Sequence, residues 1–287
     1  MGVDAEVRRW VATAFALACA ALVAGGCEEE EGCLDYRALS VDLYAEKACD
    51  DCCAFPSLQL QQLPSRTVAG VREDVRRGTP IVRDGGDTVS ITALLYFLHD
   101  VELEYDDGTV LPLTDTFGFR QNQSLDFELA DRSLLRARPF QTARLETGAL
   151  LREGTVTALR FRFGLPADVA DVDPVAQGPS SPLLLERADT LLAEGTLATG
   201  RRLRSAFVRV EGPDGARDSS FVNGPASVAY RLPLPGPVFL RRSFSLTLAL
   251  QLPVASLVEL APGAVSAEAF AGAFLDEAAV IDVALSR

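Results

Sequence analysis

Four cysteines within 21 positions carry the densest reactive chemistry in the sequence: Cys33, Cys49, Cys52 and Cys53. In an oxidising compartment an even set of four predicts two disulfides. A bond between Cys52 and Cys53 would need a strained ring, so Cys33 should pair with one of them and Cys49 with the other. The alternative is a metal or redox site at Cys49-x-x-Cys52, but zinc would need a second ligand pair and a thioredoxin motif a following helix in a βαβ unit. Neither is present in the sequence, which favours structural disulfides.

Two groups of charged residues could bind ions. Asp168, Asp171 and Asp173 lie in one proline-bounded loop and could offer oxygens to a hard cation such as Ca²⁺. The spacing is not that of an EF-hand and lacks its turn glycine, so a solvated acidic loop is favoured over a calcium site. Clustered arginines could meet an anionic partner, although an ion-paired surface is expected for them. These are Arg201, Arg202, Arg204, Arg241 and Arg242.

The side chains that most often run catalysis near neutral pH are scarce. The sequence has one histidine (His99), one tryptophan (Trp10) and one methionine (Met1). His99 lies in a largely apolar stretch, at a position where the strand alternation places polar residues, and next to Asp100. This position predicts a surface or hydrogen-bonded strand histidine. Sequence motifs of serine hydrolases, zinc peptidases, P-loop proteins and dinucleotide-binding enzymes are absent. The sequence therefore predicts a protein that is not an enzyme.

The first 26 residues have the pattern of an export signal. Arg8 and Arg9 precede the uncharged apolar stretch 10–23, which is too short to span a bilayer. Small residues at 24–26 then precede Cys27, as in the lipobox of bacterial lipoproteins. We predict that residues 1–26 are removed, that Cys27 carries the lipid, and that the protein is anchored in the outer membrane. An ordinary secretory signal, with Cys27 as a further disulfide partner, is the alternative.

The composition limits the class of partner. The chain has 287 residues, 48% of them hydrophobic, and 27 basic against 40 acidic side chains give a net charge of −13. Such a chain buries a core, and it has no basic stretch suited to nucleic acid or an anionic membrane. We expect no nucleic-acid partner, contact with the membrane through the N-terminal lipid, and an envelope protein as a candidate partner.

Alternating apolar and polar residues predict short strands over most of the chain. The pattern recurs around 58–61, 100–105, 159–163, 228–234 and 244–252, and Asp106-Asp-Gly-Thr109 predicts a hairpin turn. Helical spacing appears at 181–197 and 266–285. We predict a mainly β fold, an antiparallel β-sandwich with one or two helical additions. An acidic tether and disulfide-rich segment is expected over 27–56, and the β domain with a C-terminal helical segment over 57–287.

Several of these strands resemble one exported family. The stretches Ala93-Leu-Leu-Tyr-Phe-Leu-His-Asp-Val-Glu-Leu103, Asp107-Gly-Thr-Val-Leu-Pro-Leu113 and Gly154-Thr-Val-Thr-Ala-Leu-Arg-Phe-Arg-Phe-Gly-Leu-Pro166 are similar to the MbnP-like (methanobactin-partner-like) family of copper-binding proteins. Leu125-Asp-Phe-Glu128, Asp173-Pro, Ser181-Pro-Leu183 and Ala206-Phe-Val-Arg-Val-Glu211 follow in the family's order. The resemblance spans about residues 88 to 260. A second resemblance, of the cysteine-rich segment, is to short Cys-x-Asp-x-x-Ala-like modules near the start of exported bacterial proteins.

The family's copper ligands do not carry over to this sequence. The resemblance implies a histidine where this chain has Asp171, and a tryptophan-rich stretch between Leu183 and Phe207, where there is none. After removal of the signal, one imidazole and no thioether remain as soft-metal donors. No cofactor is assigned, Ca²⁺ is the one candidate metal, and copper is not expected.

The sequence thus predicts a lipid-anchored, non-enzymatic binding or accessory protein of the bacterial cell envelope that resembles the MbnP-like family without its copper site. The alternative is a structural or adhesion β-sandwich that offers its faces to a protein or glycan. A carboxylate-only glycosidase is disfavoured because few aromatic side chains are available to stack on sugars.

Overall fold

A computed structural model describes residues 30–49, 52–113, 115–120, 126, 128–141, 144–169, 172, 177, 181–183 and 203–286. The chain divides into two compact units, Met1–Ala54 and Phe55–Arg287. Cys27 and the predicted signal peptide lie outside the described residues, as do Asp171, Asp173 and all but the first three residues of the helix predicted at 181–197. None of the helices in the described ranges is long and apolar enough to cross a membrane.

The described part of the first unit is held by disulfides around a small parallel ladder. Strands β1 (Glu31–Gly32) and β2 (Lys47–Ala48) pair in parallel. The structure joins Cys33 to Cys53 and Cys49 to Cys52. Pairing of Cys33 with one of the two adjacent cysteines is therefore confirmed, with Cys53 as the partner. Cys33 is 1% exposed, so this bond takes the place of a core that so short a segment cannot build.

The two disulfides should differ in their contribution to stability. The Cys33–Cys53 bond closes 20 residues and the Cys49–Cys52 bond closes three. Loop-closure entropy then predicts a loss of about 3 kcal/mol in Cys33→Ser/Cys53→Ser and about half of that in Cys49→Ser/Cys52→Ser. Hydrogen exchange in peptides from residues 30–54 measures both losses. Equal protection in the two double variants would contradict the prediction.

The second unit consists almost entirely of strands, as the alternation predicts. The strands are β3 (Ser57–Val68), β4 (Val71–Asp74), β5 (Pro80–Val82), β6 (Thr88–Tyr105), β7 (Val110–Pro112), β8 (Thr116–Phe119), β9 (Glu128–Asp131), β10 (Leu134–Ala137), β11 (Arg144–Ala149), β12 (Gly154–Phe163), β13 (Arg204–Glu211), β14 (Arg217–Asn223), β15 (Val228–Leu240), β16 (Ser245–Pro253), β17 (Gly263–Ala264) and β18 (Ala279–Ser286). Short 3₁₀ helices span Ala167–Val169 and Ala255–Glu259, and helix α1 spans Ala267–Leu275.

Two sheets form a sandwich in the described ranges. One has nine strands, in the order β15-β12-β6-β13-β14-β17 with β5, β7 and β10 also paired to β6, and the other has five, in the order β11-β3-β16-β18 with β4 on β3. The predicted mainly β sandwich is confirmed. Most pairs are antiparallel, but β3 and β16 run parallel in register from Leu58–Leu246 to Ser65–Pro253. Strands β3 and β16 are far apart along the chain. This allows parallel pairing, because two neighbouring parallel strands must be joined by a long connection.

The core lies between the sheets. Strand β6 contributes Leu94, Tyr96, Leu98, Val101 and Leu103 to one continuous apolar cluster that also holds Leu58 and Leu60 of β3 and the leucines of β16. The hairpin predicted at 106–109 follows β6: Gly108 has φ 80°, and Glu104 pairs with Val110. Positive φ at this position is the conformation that glycine adopts without strain.

The helix predicted over 266–285 is wrong in its second half. Helix α1 begins after Ser266, whose side chain accepts a hydrogen bond from the backbone N–H of Ala269 at 3.1 Å, and ends at Leu275. Residues 279–286 instead form β18, which pairs with β16. Tertiary pairing decides this segment, because small and β-branched residues there fit a strand edge as well as a helix.

The outer face of the nine-stranded sheet is divided into a covered and an open half. Leu95, Phe97 and Phe207 project from it into a second apolar cluster with Phe117, Phe119, Leu134, Leu165, Val169, Val172, Leu183 and Leu203. Beyond Phe97 along β6 the exposed side chains are charged. In the part of the chain that the structure describes, β6, β12 and β15 therefore carry an open charged surface.

Candidate functional site

A β-bulge in β6 marks the edge of this open surface. His99 pairs with Arg162 and Glu102 with Arg160, so three steps along β6 match two along β12. Leu98 and Val101 both enter the core between the sheets, which leaves the two residues between them on the outer face. Asp100 has φ 49°, a left-handed conformation that costs a non-glycine residue about 1 kcal/mol or more. Such outliers cluster at functional sites.

Backbone hydrogen bonds hold the bulge. The N–H of Asp100 donates to the carbonyl oxygen of Ser133 at 3.1 Å, and the N–H of Val101 donates to the Ser133 hydroxyl at 2.6 Å. Ser133 itself is 1% exposed. The strained conformation is thus fixed by one buried residue that satisfies two neighbouring N–H groups.

His99 is buried, so of the two predicted alternatives the surface histidine is wrong. The residue is 2% exposed, and its ring lies against the Asp100 carboxylate and the Ala226 backbone. Nδ1 lies 3.1 Å from Oδ2 of Asp100, close enough for an ion pair but outside hydrogen-bond geometry. Burial lowers the pKa of His99, and the Asp100 carboxylate partly opposes this shift. The neutral imidazole is therefore the favoured form in the folded protein.

The lowered pKa of His99 predicts a loss of stability in mild acid. The unfolded chain protonates this ring near pH 6.5 whereas the folded chain resists protonation, so stability is full above that pH and falls as the pH drops, by at most about 1.4 kcal/mol per pH unit. His99→Phe should flatten the slope between pH 6.5 and 5. Urea unfolding at several pH values measures it. An unchanged slope in the variant would refute the prediction, since carboxylates such as Asp107, with a pKa of about 2, act only at lower pH.

A groove of about 680 Å³ opens beside the bulge. Its size is within the range of small-molecule sites. Four arginines line it against three carboxylates, in a chain whose net charge is −13. The charged lining residues are Arg132, Arg160, Arg162, Arg231, Asp100, Glu102 and Asp131, and the apolar wall includes Val110, Pro112 and Leu113. Arginines thus outnumber carboxylates by one in the lining, and two of these arginines, Arg132 and Arg231, are paired with Asp168 and Glu104.

The arginines of the groove differ in how firmly they are paired. Arg231 forms a two-pronged ion pair with Glu104, Nε at 2.9 Å and Nη2 at 2.7 Å from its oxygens. This pair lowers the pKa of Glu104. By contrast, Nε of Arg160 lies 3.8 Å from Glu102, and Nε of Arg162 lies 3.9 Å from Asp100. These distances exceed those of a charge-assisted hydrogen bond.

Of the predicted calcium ligands, Asp168 alone lies in the described residues. It belongs to the 3₁₀ helix Ala167–Val169, and its Oδ1 lies 3.1 Å from Nη1 of Arg132. A cation at this carboxylate would have to displace the guanidinium group. The calcium site stays a prediction, and Asp168 instead links the acidic loop to the edge of the groove.

The cysteine sulfurs of the first unit lie close together. The Sγ atoms of Cys49, Cys52 and Cys53 are within 4.8 Å of one another. As disulfides they carry no thiolate, which is the form that binds metals and attacks disulfides. Their bonded state agrees with a structural role.

Sequence reasoning missed the groove, although part of its signal was visible. The alternation that predicts β12 places Arg160 and Arg162 on its polar face, and the same pattern places Glu102 and Glu104 on that of β6. These residues meet because β6 and β12 are neighbours. Among the clustered arginines noted in the sequence, Arg242 pairs with Glu153 at 3.1 Å, and Arg204 lies 4.1 Å over the Phe221 ring. The ion-paired surface expected for the clustered arginines is therefore confirmed at Arg242.

Comparison with known proteins gives one distant structural similarity. No model of a known protein family matches the chain, and no curated protein sequence matches it. The solved structure of MbnP from Methylosinus trichosporium is similar over 68% of this chain and 75% of that chain, with 17% identity and a TM-score of 0.35. The relationship to MbnP is thus a distant structural one, and at this identity and TM-score it says nothing about what the chain binds.

Proposed function

We propose that the protein is an exported, lipid-anchored binding protein of the bacterial envelope, and that the groove on β6, β12 and β15 is its ligand site. The observation that carries the proposal is the groove itself, an open space of about 680 Å³ lined by four arginines on a protein with a net charge of −13. A strained residue, Asp100, lies in its wall. Strain of this kind persists where the surrounding structure enforces it, often to present a side chain.

Binding fits the site better than catalysis does. The charged side chains of the groove stand on neighbouring strands, with Asp100 and Glu102 on β6 and arginines on β12 and β15. His99 is 2% exposed, so its ring is not placed to exchange protons with a bound substrate. The protein is accordingly proposed to hold its ligand without transforming it.

The groove proposal is tested by filling the groove. Ala229 is an exposed lining residue on β15, and Ala229→Trp fills the space without removing a charge. Native mass spectrometry of protein purified from its own envelope should show a retained ligand mass in the wild type and in Ala216→Trp, a control in an exposed turn. That mass should be lost in Ala229→Trp. Retention by all three proteins would place the ligand elsewhere, as the adhesion alternative predicts.

Membrane anchoring is proposed at Cys27, on the basis of the basic n-region, the apolar stretch 10–23 and the small residues before the cysteine. Cells given a fatty-acid probe should label the wild type and not Cys27→Ser. The labelled protein should fractionate with the outer membrane. An unlabelled wild type, or a protein found only in the soluble periplasm, would contradict the proposed anchor.

A further inference from the structure

Three guanidinium groups lie side by side on the floor of the groove. Arg160 and Arg162 are two residues apart on β12 and therefore share a face, about 7 Å apart along the strand. Arg160 also lies directly opposite Arg231 on β15. Like charges in directly opposed positions destabilise a sheet unless a counter-charge lies between them. This arrangement calls for anions on the open side.

The acidic neighbours supply only part of that counter-charge. Glu104 is fully engaged by Arg231 through both carboxylate oxygens, at 2.7 and 2.9 Å. Nε of Arg160 lies 3.8 Å from Oε2 of Glu102, and Nε of Arg162 lies 3.9 Å from Oδ2 of Asp100. Within the described ranges, the one short contact to these two guanidinium groups is from Nη1 of Arg162 to the Ser227 hydroxyl, at 3.1 Å. As far as these ranges show, several N–H donors of Arg160 and Arg162 remain for a ligand.

The β6 bulge shapes one wall of the groove. His99, 2% exposed, lies in the bulge beside Asp100, with Nδ1 3.1 Å from Oδ2 of Asp100. The bulge that places His99 also places Asp100 in the groove wall.

We infer that the groove binds a small molecule through an oxyanion group, a carboxylate or phosphate, gripped by Arg160 and Arg162. The planar guanidinium group matches the geometry of both oxyanions. The apolar wall of Val110, Pro112 and Leu113 accommodates an apolar body on the ligand. This inference rests on the proposed function of the groove and adds the chemical class of the ligand.

Four probes with one aromatic ring each test the chemical class. Phenyl phosphate and benzoate are anions, benzyl alcohol is neutral, and benzylamine is a cation. Titration of the purified chain, followed by the arginine Nε–Hε signals in NMR, should show binding of the two anions and none of the alcohol or amine. Tighter binding of phenyl phosphate than of benzoate assigns a phosphate ligand, and the reverse order assigns a carboxylate.

Two variants and a control assign the residues. Arg160→Gln and Arg162→Gln should each raise the Kd of the preferred anion about tenfold, because each removes charge-assisted hydrogen bonds. The double variant should show no measurable binding. Arg217→Gln makes the same charge change on β14, where Arg217 pairs with Glu211 at 3.0 Å, and should leave the Kd unchanged. If Arg217→Gln raised the Kd as much as the two groove variants do, the loss of affinity would come from the change in net charge alone. That result would overturn the inference.

The outcomes separate this inference from the proposed function. Binding of benzylamine or benzyl alcohol without the anions, abolished by Ala229→Trp, would keep the groove as a binding site and overturn the oxyanion class. If no probe binds and the protein from its own envelope carries no ligand mass, the proposed function of the groove fails as well. Anion binding that survives the double arginine variant would place the anion site outside the groove and also overturn the inference.

Discussion

Replacement of Phe163 by alanine is expected to lower the free energy of unfolding by about 3 to 5 kcal/mol. Phe163 is fully buried, and its ring centroid lies 6.0 Å from that of Tyr96, 5.9 Å from Phe270 and 6.1 Å from Phe274. This cluster joins the larger sheet to helix α1. Truncation leaves a cavity among β6, β12 and helix α1 that these rigid elements cannot close, so the lost contacts are not recovered.

The matched control for this prediction is Phe239→Ala. Phe239 lies on β15 in the same sheet and is 56% exposed, so the same truncation should change stability by about 0.5 kcal/mol or less. Urea unfolding of both variants, read by fluorescence of the tyrosines or by circular dichroism, gives the two values. A loss below about 1 kcal/mol in Phe163→Ala would show that the aromatic cluster relaxes around the cavity.

Replacement of Gly164 by alanine should cost about 2 to 5 kcal/mol, for two separate reasons. Gly164 has φ 111°, a conformation that L side chains rarely adopt. A Cβ atom there would lie next to the carbonyl oxygen of Ala226, and also 2.7 Å from its Cβ. Gly164 directly follows β12, two residues after Arg162, and its neighbour Ala226 precedes Ser227, the hydrogen-bond partner of Arg162, so the strain would also reach that contact.

Two further variants separate these causes. Gly236→Ala adds a Cβ that meets nothing within 4 Å on the same sheet and should leave stability within about 1 kcal/mol of the wild type. Ala226→Gly in the Gly164→Ala background removes one clashing atom but leaves the carbonyl oxygen, so stability should stay low. Recovery of stability in that double variant would mean that side-chain crowding alone was responsible.

The strand content and one turn could be predicted from the sequence because both depend on local pattern. Alternation at 58–61, 100–105, 159–163 and 244–252 corresponds to β3, β6, β12 and β16. Gly108 marks the turn between β6 and β7, and the cysteine count predicted the pairing of Cys33 with an adjacent cysteine. In a strand with one solvent-exposed face, every second residue is apolar and buried, whichever strands lie beside it.

The segment after Leu275 shows where local pattern is insufficient. Ala278, Ile281 and Leu285 lie at helical spacing, yet residues 279–286 pair with β16 and form a strand. A few alanines and β-branched residues fit either conformation, and the hydrogen bonds offered by a neighbouring strand select between them. The parallel alignment of β3 with β16 was likewise invisible, since nothing in either strand records its partner 188 positions away.

The sequence by itself determined that the chain is a mainly β, acidic protein with a cysteine-rich first segment, because composition and two-residue periodicity are properties of short stretches. Only the tertiary structure decided which arginine side chains come together on the surface. Arg160, Arg162 and Arg231 meet because β12 and β15 are neighbours, and Asp100 enters their groove because one extra residue bulges β6. A bulge and a strand order are set by long-range hydrogen bonding and core packing, which no local pattern encodes.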